Sequence, residues 1–242
     1  MSTSAVVRTT AVLSFHKIGV PPAGGWDTWN YISEDVFTRF LEQLRDECYH
    51  VVDLHSFLNG VKDPRHLPER SALLTFDDGY QSMLTTTQPL LNKFGYPSVV
   101  FVPTDYIGGF NTWDYGNEPE EPICSWEELI ELQHRGVSIQ SHGVSHRSFS
   151  ELDIAAQEYE IKVSKERLEE RLGSAVESLA FPYGDNGKDV EATEGAMKRA
   201  GYQLSFLYKG GVFDVPTDTP YRVTRVPMGS DTNLSKWLGG DA

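Results

Sequence analysis

Cysteine is nearly missing from the chain: two in 242 residues, Cys48 and Cys124, are too few for a disulfide framework and lack the close spacing of a zinc knuckle. Both are expected to be buried thiols. Basic charge is scarce as well, 21 Lys and Arg against 35 Asp and Glu for a net charge of -14. A chain without a basic face cannot neutralise phosphates, which excludes a nucleic-acid partner. No apolar run reaches the length of a membrane span, and the opening MSTSAVVRTTAVLSF lacks a signal-peptide core. The chain is therefore expected to be cytoplasmic as written, and extracellular only if a leader has been trimmed. Repeats, low-complexity tracts and Ser/Gly linkers are also missing, so one domain over residues 1–242 is expected, a length that suffices for a single α/β barrel.

What is present is a globular composition, 39% hydrophobic with 12 Phe, 11 Tyr and 5 Trp. Short apolar runs alternate with longer amphipathic ones. TAVLSF (10–15), ALLTF (72–76), SVVFVP (98–103), VSIQS (137–141), ESLAF (177–181), QLSFL (203–207) and RVTRVP (222–227) read as strands bounded by turn formers. After Ser33, the residues Val36, Phe37, Phe40, Leu41 and Leu44 share one helical face; Ser125 with Glu128 forms a capping box for a helix ending at Gly136. Two more helices are expected from Asp153 to Leu172, closed by Gly173, and from Asp189 to Ala200, closed by Gly201. Strands alternating with helices imply a mostly parallel sheet, whose chemistry gathers at the carboxyl ends of its strands.

Three stretches after strands carry reactive side chains. LLTFDDGY places Asp77 beside Asp78, a repulsive pair that fits a cation or a proton-transfer site, and also an ordinary solvated turn. SHGVSH places His142 and His146 where two imidazoles reach one side of a loop; as an isolated pair they equally describe surface histidines. Together with a strand-end Asp they leave a metal ion open positions for water and substrate. AFPYGD joins the rigid Pro182 to Tyr183 and the flexible Gly184, either an oxyanion-binding turn or a plain one with a packed tyrosine.

Taken in order, these stretches resemble the polysaccharide deacetylases, the family with a NodB-type homology domain. TFDDG is similar to its first motif, His142 to His146 to its histidine motif, and FPYG to its third. The resemblance runs from about Val12 to Pro227, and VLSFHKIG and SWEEL look like the poly-N-acetylglucosamine deacetylase branch. It implies a distorted (β/α)7 barrel, and a metal-dependent hydrolase that removes the acetyl group from an N-acetylated amino sugar. It also implies a divalent metal, zinc first with cobalt, nickel and iron as alternatives, held by Asp78, His142 and His146. Asp77 is then the general base, and the Tyr183 backbone N–H a donor to the oxyanion.

The chain departs from the family pattern in three places. Gly143 stands where Ser or Thr follows the first histidine, so another group must shape that loop. Ala180 and Phe181 stand where the third motif carries the arginine that orients the base, so Asp77 needs another orienting group. No histidine follows His146, and His16, in SFHKIG, is the expected general acid, with a core histidine as the alternative. His50, His55, His66 and His134 are read as structural. Trp113 and Tyr115, in the stretch from Tyr106 to Pro122, are candidates for a lid over sugar, with Trp113, Pro182 and Tyr183 as substrate contacts; Trp126 is expected to pack. Two other functions stay open: a ureide or imide hydrolase using Arg222 or Arg225 as an anion clamp at the mouth, or a sugar- or metal-binding protein without turnover. The oligomeric state is not legible.

Overall fold

The structure, a computed structural model, describes residues 6–239; residues 1–5 and 240–242 of the expected domain lie outside the described residues. All seven strand candidates form: β1 (Arg8–Phe15), β2 (Ser71–Phe76), β3 (Ser98–Val102), β4 (Val137–Ser141), β5 (Ser178–Ala180), β6 (Leu204–Gly210) and β7 (Val223–Pro227). Each pairs in parallel with the next, and β7 closes on β1 through Leu13↔Val226 and Ser14↔Pro227. The closed (β/α)7 barrel expected from the alternation is therefore present. Its distortion is local. β4 and β5 share the single register pair Ser141↔Leu179, and β7 shifts against β6 between Val223 and Arg225.

The amino end of the barrel splays, where the short strands His50–Val51 and Phe213–Val215 pair with the first residues of β2 and β1. Segments this short carry too few alternations to be read from sequence. His50, read as structural, lies in the first of these strands.

Surrounding the barrel are α1 (Glu34–Asp46), α2 (Leu54–Lys62), α3 (Gln88–Phe94), α4 (Trp126–His134), α5 (Ile154–Leu172), α6 (Val190–Arg199) and α7 (Leu234–Leu238). The Ser33 hydroxyl caps α1, which buries Phe37, Phe40, Leu41 and Leu44; the capping box of Ser125 and Glu128 starts α4; and α5 ends on left-handed Gly173. Between β2 and α3 the chain makes a π-helical turn over Met83–Thr87, which disrupts the 3.6-residue period and hides this helix from a sequence reading.

Apolar residues from the strands, among them Val12, Leu73, Val99, Phe101, Phe206 and Val223, cluster with Phe57 and Leu58 of α2. This second core plugs the amino end and leaves the carboxyl end open for chemistry.

One expectation about the thiols is corrected. Cys124 is buried, but Cys48 is exposed. It follows the last turn of α1 with φ 58, a left-handed position in which the Tyr49 N–H reaches back to the Leu44 carbonyl, so its side chain projects away from the core. Among the described residues no helix is long and apolar enough to cross a membrane.

Loss of the α4 cap has a predictable cost. Ser125→Ala is expected to lower unfolding free energy by about 1 kcal/mol, measured as a shifted urea midpoint with unchanged slope.

Candidate active site

Every motif singled out in the sequence arrives at the carboxyl end of the barrel. Asp77 and Asp78 follow β2, His142 and His146 follow β4, Pro182 and Tyr183 follow β5, and His16 follows β1. Among the described residues four non-glycine residues have positive φ, and three of them, Asp78, His146 and Tyr183, lie in these turns. Left-handed backbone at residues with a Cβ costs of order 1 kcal/mol or more each and persists where surrounding contacts over-determine it. Such clustering marks a site whose side chains must be aimed.

Asp77 is buried, and both carboxylate oxygens are claimed by one partner. Arg225, on β7 and 0% exposed, donates from Nη1 to Oδ1 at 2.7 Å and from Nη2 to Oδ2 at 2.8 Å. Its Nε donates to the Leu207 carbonyl at 2.9 Å, Nη1 also reaches Thr75 Oγ1 at 3.2 Å, and the guanidinium lies 5.6 Å from the Phe101 ring centre. Burial pushes the Asp77 carboxyl up, but the charges of Arg225 and His142 more than offset that and hold it below the usual carboxylate range. The orienting group missing from the third motif is thus supplied from the last strand. This corrects the reading of Arg225 as an anion clamp at the mouth. Arg222 is no clamp either: it precedes β7, on the far side of the barrel, and pairs with Glu194.

Asp78, His142 and His146 form a buried triad whose ligand atoms lie within 4.8 Å of one another. Asp78 Oδ1 is 3.4 Å from His142 Nε2 and 3.1 Å from His146 Nε2, yet accepts no hydrogen bond. His142 Nδ1 lies 2.7 Å from the Ala180 carbonyl and donates to it, which turns the Nε2 lone pair toward Asp78. Lone pairs converging on an unfilled carboxylate oxygen repel unless a cation sits among them. One oxygen and two imidazole nitrogens are a donor set for a divalent transition metal, so the residues fit the metal implied by the sequence.

The loop carrying the histidines is held from below by Glu160 of α5, a residue the sequence reading passed over. Its Oε2 accepts from Val144 N at 2.6 Å and Ser145 N at 2.9 Å, and Oε1 accepts from the Ser145 hydroxyl. A Cβ at position 143 would stand 2.9 Å from that Oε2, and Gly143 also has φ 78. Glycine at this position leaves room for the Glu160 carboxylate, which supplies the loop-shaping group that the sequence called for.

Asp185 acts similarly on the third motif, accepting from the hydroxyls of Ser148 and Ser150 and from Ser150 N at 2.8 Å. The histidine loop and the Pro182–Gly184 turn are thereby tied together. Partial burial pushes the Asp185 carboxyl up, but these bonds prevail and hold it down at about 2.

The remaining candidates frame the triad. The His16 ring stands edge-on to Tyr208 at 5.0 Å, and its Nδ1 is buried without a partner. Burial lowers its basicity, while Asp78 and Asp77 raise it; burial prevails. Trp113 lies face to face with His146, centroids 4.4 Å apart, and Tyr106 meets its edge at 4.5 Å. Its ring is thus a wall of the metal site. Tyr183 is exposed and packs its ring on His146 at 4.9 Å. The turn around buried Pro182 uses the N–H groups of Gly184 and Asp185, leaving that of Tyr183 outside its own bonding.

Two further residues were missed because they lie in segments too short to show a period, Asp114 in the turn Thr112–Asp114 and Lys17 in the two-residue strand Lys17–Ile18. Asp114, next to Trp113, has a carboxyl pushed up by partial burial and by Asp78. Lys17, 2% exposed, donates to Glu118 at 2.8 Å, and Thr28 and Asn30 donate to the same carboxylate at 2.7 and 2.9 Å. The stretch from Tyr106 to Pro122, expected as a lid, is therefore anchored beside the end of β1.

Glu160→Ala is expected to cost about 3 kcal/mol, because two backbone N–H groups lose their acceptor, and to weaken metal affinity by about tenfold; urea titration and chelator competition measure the two effects, and Glu160→Gln should lose less of each. For Asp185, the depressed carboxyl stabilises the fold fully above its unfolded value of about 3.9 and progressively less as pH falls toward 2. The stability gap between the protein and Asp185→Ala should therefore be constant from pH 7 to 5 and narrow below pH 4, by denaturant titration at each pH.

Comparison with known proteins agrees with this geometry. YxkH of Bacillus subtilis is 26% identical over 175 residues, covering 72% of this chain, and the chain spans 58% of the length of YxkH. The poly-beta-1,6-N-acetyl-D-glucosamine N-deacetylase of Staphylococcus epidermidis is 24% identical over 232 residues, 90% of this chain and 76% of that protein. The deacetylase PplD of Streptococcus pyogenes, solved in complex with acetate, shares the fold at a TM-score of 0.81 and 19% identity, covering 96% of this chain and 99% of that one. The polysaccharide deacetylase family model matches residues 65–205, from before β2 into β6 and through all three motifs, and the chain belongs to that family.

Proposed function

We propose that the protein is a metal-dependent N-deacetylase that hydrolyses the acetamide of an N-acetylated amino sugar within a glycan. The observation that carries this reading is a carboxylate, Asp77, fixed by a bidentate arginine beside a buried Asp-His-His triad. A binding protein without turnover has no use for a second buried acid held ionised next to its metal ligands. The naming of a relative as a poly-beta-1,6-N-acetyl-D-glucosamine N-deacetylase makes β-1,6-linked N-acetylglucosamine the first substrate to try.

Asp78, His142 and His146 would hold the metal, zinc first and cobalt, nickel or iron as alternatives. A divalent cation there supplies Lewis acidity toward the amide carbonyl and makes a water molecule acidic near neutral pH. Asp77 accepts the proton of the attacking water on a carboxylate lone pair that Arg225 does not use; its lowered pKa keeps it unprotonated and ready. The Tyr183 N–H donates to the developing oxyanion, a contribution typically worth about 3 kcal/mol. His16, neutral at rest through burial, takes up a proton from solvent water as the two carboxylates stabilise its cation and passes it to the leaving amine as the C–N bond breaks, and the proton on Asp77 returns to solvent. Strands from both ends of the chain close the barrel, and we read residues 1–242 as one catalytic domain.

Acetate release from N-acetylglucosamine oligomers by metal-stripped protein, with zinc, cobalt or nickel restored, tests the reading. Release should require metal, and Asp77→Asn should lower kcat by at least about a hundredfold while one equivalent of metal remains bound. Substantial turnover by that variant would overturn the role of Asp77.

A further inference from the structure

Beyond Trp113 the anchored loop forms a second concavity, a hollow of about 310 Å³ walled by Trp26, Thr112, Tyr115, Gly116, Glu118 and Glu120. Its volume sits at the lower bound of ordinary small-ligand pockets, space for one sugar ring rather than several. The walls are unusual for a protein surface. Trp26 is 48% exposed and Tyr115 87%, although each carries a large aromatic group that folding normally covers.

The hollow is also built rather than incidental. Its floor residue Glu118 accepts from Lys17, Thr28 and Asn30. The Asn111 side chain bridges the loop's ends, donating to the Pro119 carbonyl at 3.0 Å and accepting from Glu121 N at 2.7 Å. Pinned backbone keeps the rings from collapsing into the space between them, so binding there incurs little ordering cost.

Thr112 lines this hollow, and the next residue, Trp113, covers His146. The hollow and the metal triad therefore lie on opposite sides of one short turn, Thr112–Asp114. A molecule occupying both is longer than a single sugar. From this we propose that the Trp26–Tyr115 hollow is a glycan subsite, which stacks a pyranose ring neighbouring the one deacetylated and selects chains over monosaccharides. The aromatic rings meet the apolar face of the sugar, and the exposed Thr112 hydroxyl and Glu120 carboxylate take its hydroxyl groups. This rests on the deacetylase reading for its class of ligand.

The test is calorimetric binding of two probes to zinc-loaded protein, a pentamer of β-1,6-linked N-acetylglucosamine and the N-acetylglucosamine monosaccharide. Trp26→Ala combined with Tyr115→Ala should raise the pentamer Kd by about tenfold, as two ring contacts of usual strength would give, and erase its advantage over the monosaccharide. Trp26→Tyr, which keeps a ring, should retain most of the affinity. Equal pentamer affinity across all variants, a parallel loss for the monosaccharide, loss in Trp26→Tyr equal to that in the double variant, or no pentamer binding by the unmodified protein would each overturn the subsite. Acetate release is followed separately: binding without release defeats the deacetylase reading and leaves the subsite standing, whereas release with unchanged pentamer Kd in the variants defeats the subsite alone.

Discussion

The site depends above all on one charge pair at the top of the barrel interior. Arg225 and Asp77 are both buried, and a guanidinium and a carboxylate taken out of water are tolerable only when each satisfies the other completely. The pair meets that condition with two hydrogen bonds to the carboxylate, a third to the Leu207 carbonyl and a fourth to Thr75. Because Arg225 stands on the last barrel strand and Asp77 follows the second, the bonds also span the closure of the sheet. Asp77 is fixed only if the barrel closes in register, so assembly of the fold and the orienting of this carboxylate are one event.

Around this pair, the loops carrying the triad are held by acids outside the triad. Glu160 binds the histidine loop to α5, and Asp185 binds that loop to the third-motif turn. These bonds offset the strain of left-handed backbone at His146 and Tyr183. The arrangement explains why an acidic chain has so few acids to spare at its centre: each buried carboxylate there has an assigned donor, except Asp78, whose free oxygen faces the two imidazoles.

How far the sequence foretold this depends on the range of the interaction concerned. The strands and four helices were legible because periodicity, caps and terminal glycines are local signals, and TFDDG, SHGVSH and FPYG were legible because each carries its chemistry within a few residues. Arg225 was seen but misplaced, since nothing near RVTRVP says that its side chain turns into the barrel toward a residue 148 positions away. Glu160 was invisible for the same reason: on α5 it reads as one more polar position among many, and only the missing Cβ of Gly143 hints at a partner. Cys48 was misread because burial was inferred from residue type, while a helix terminus dictates the direction of its side chain.

The two buried basic residues give the charge pattern its meaning. Among the described residues, Lys17 and Arg225 are the buried members of the Lys and Arg set, and both lie at the catalytic end. Arg225 uses its planar fork, which matches a carboxylate edge to edge and fixes orientation. Lys17 presents a point charge, which gathers Glu118 while resting 4.7 and 4.8 Å from the ring centres of Tyr31 and Tyr80. Lysine at position 225 would fail, for its point charge cannot hold both oxygens of Asp77 in one orientation. Net charge therefore says little about this site; the two cations it retains in the interior orient Asp77 on one side and anchor the loop on the other.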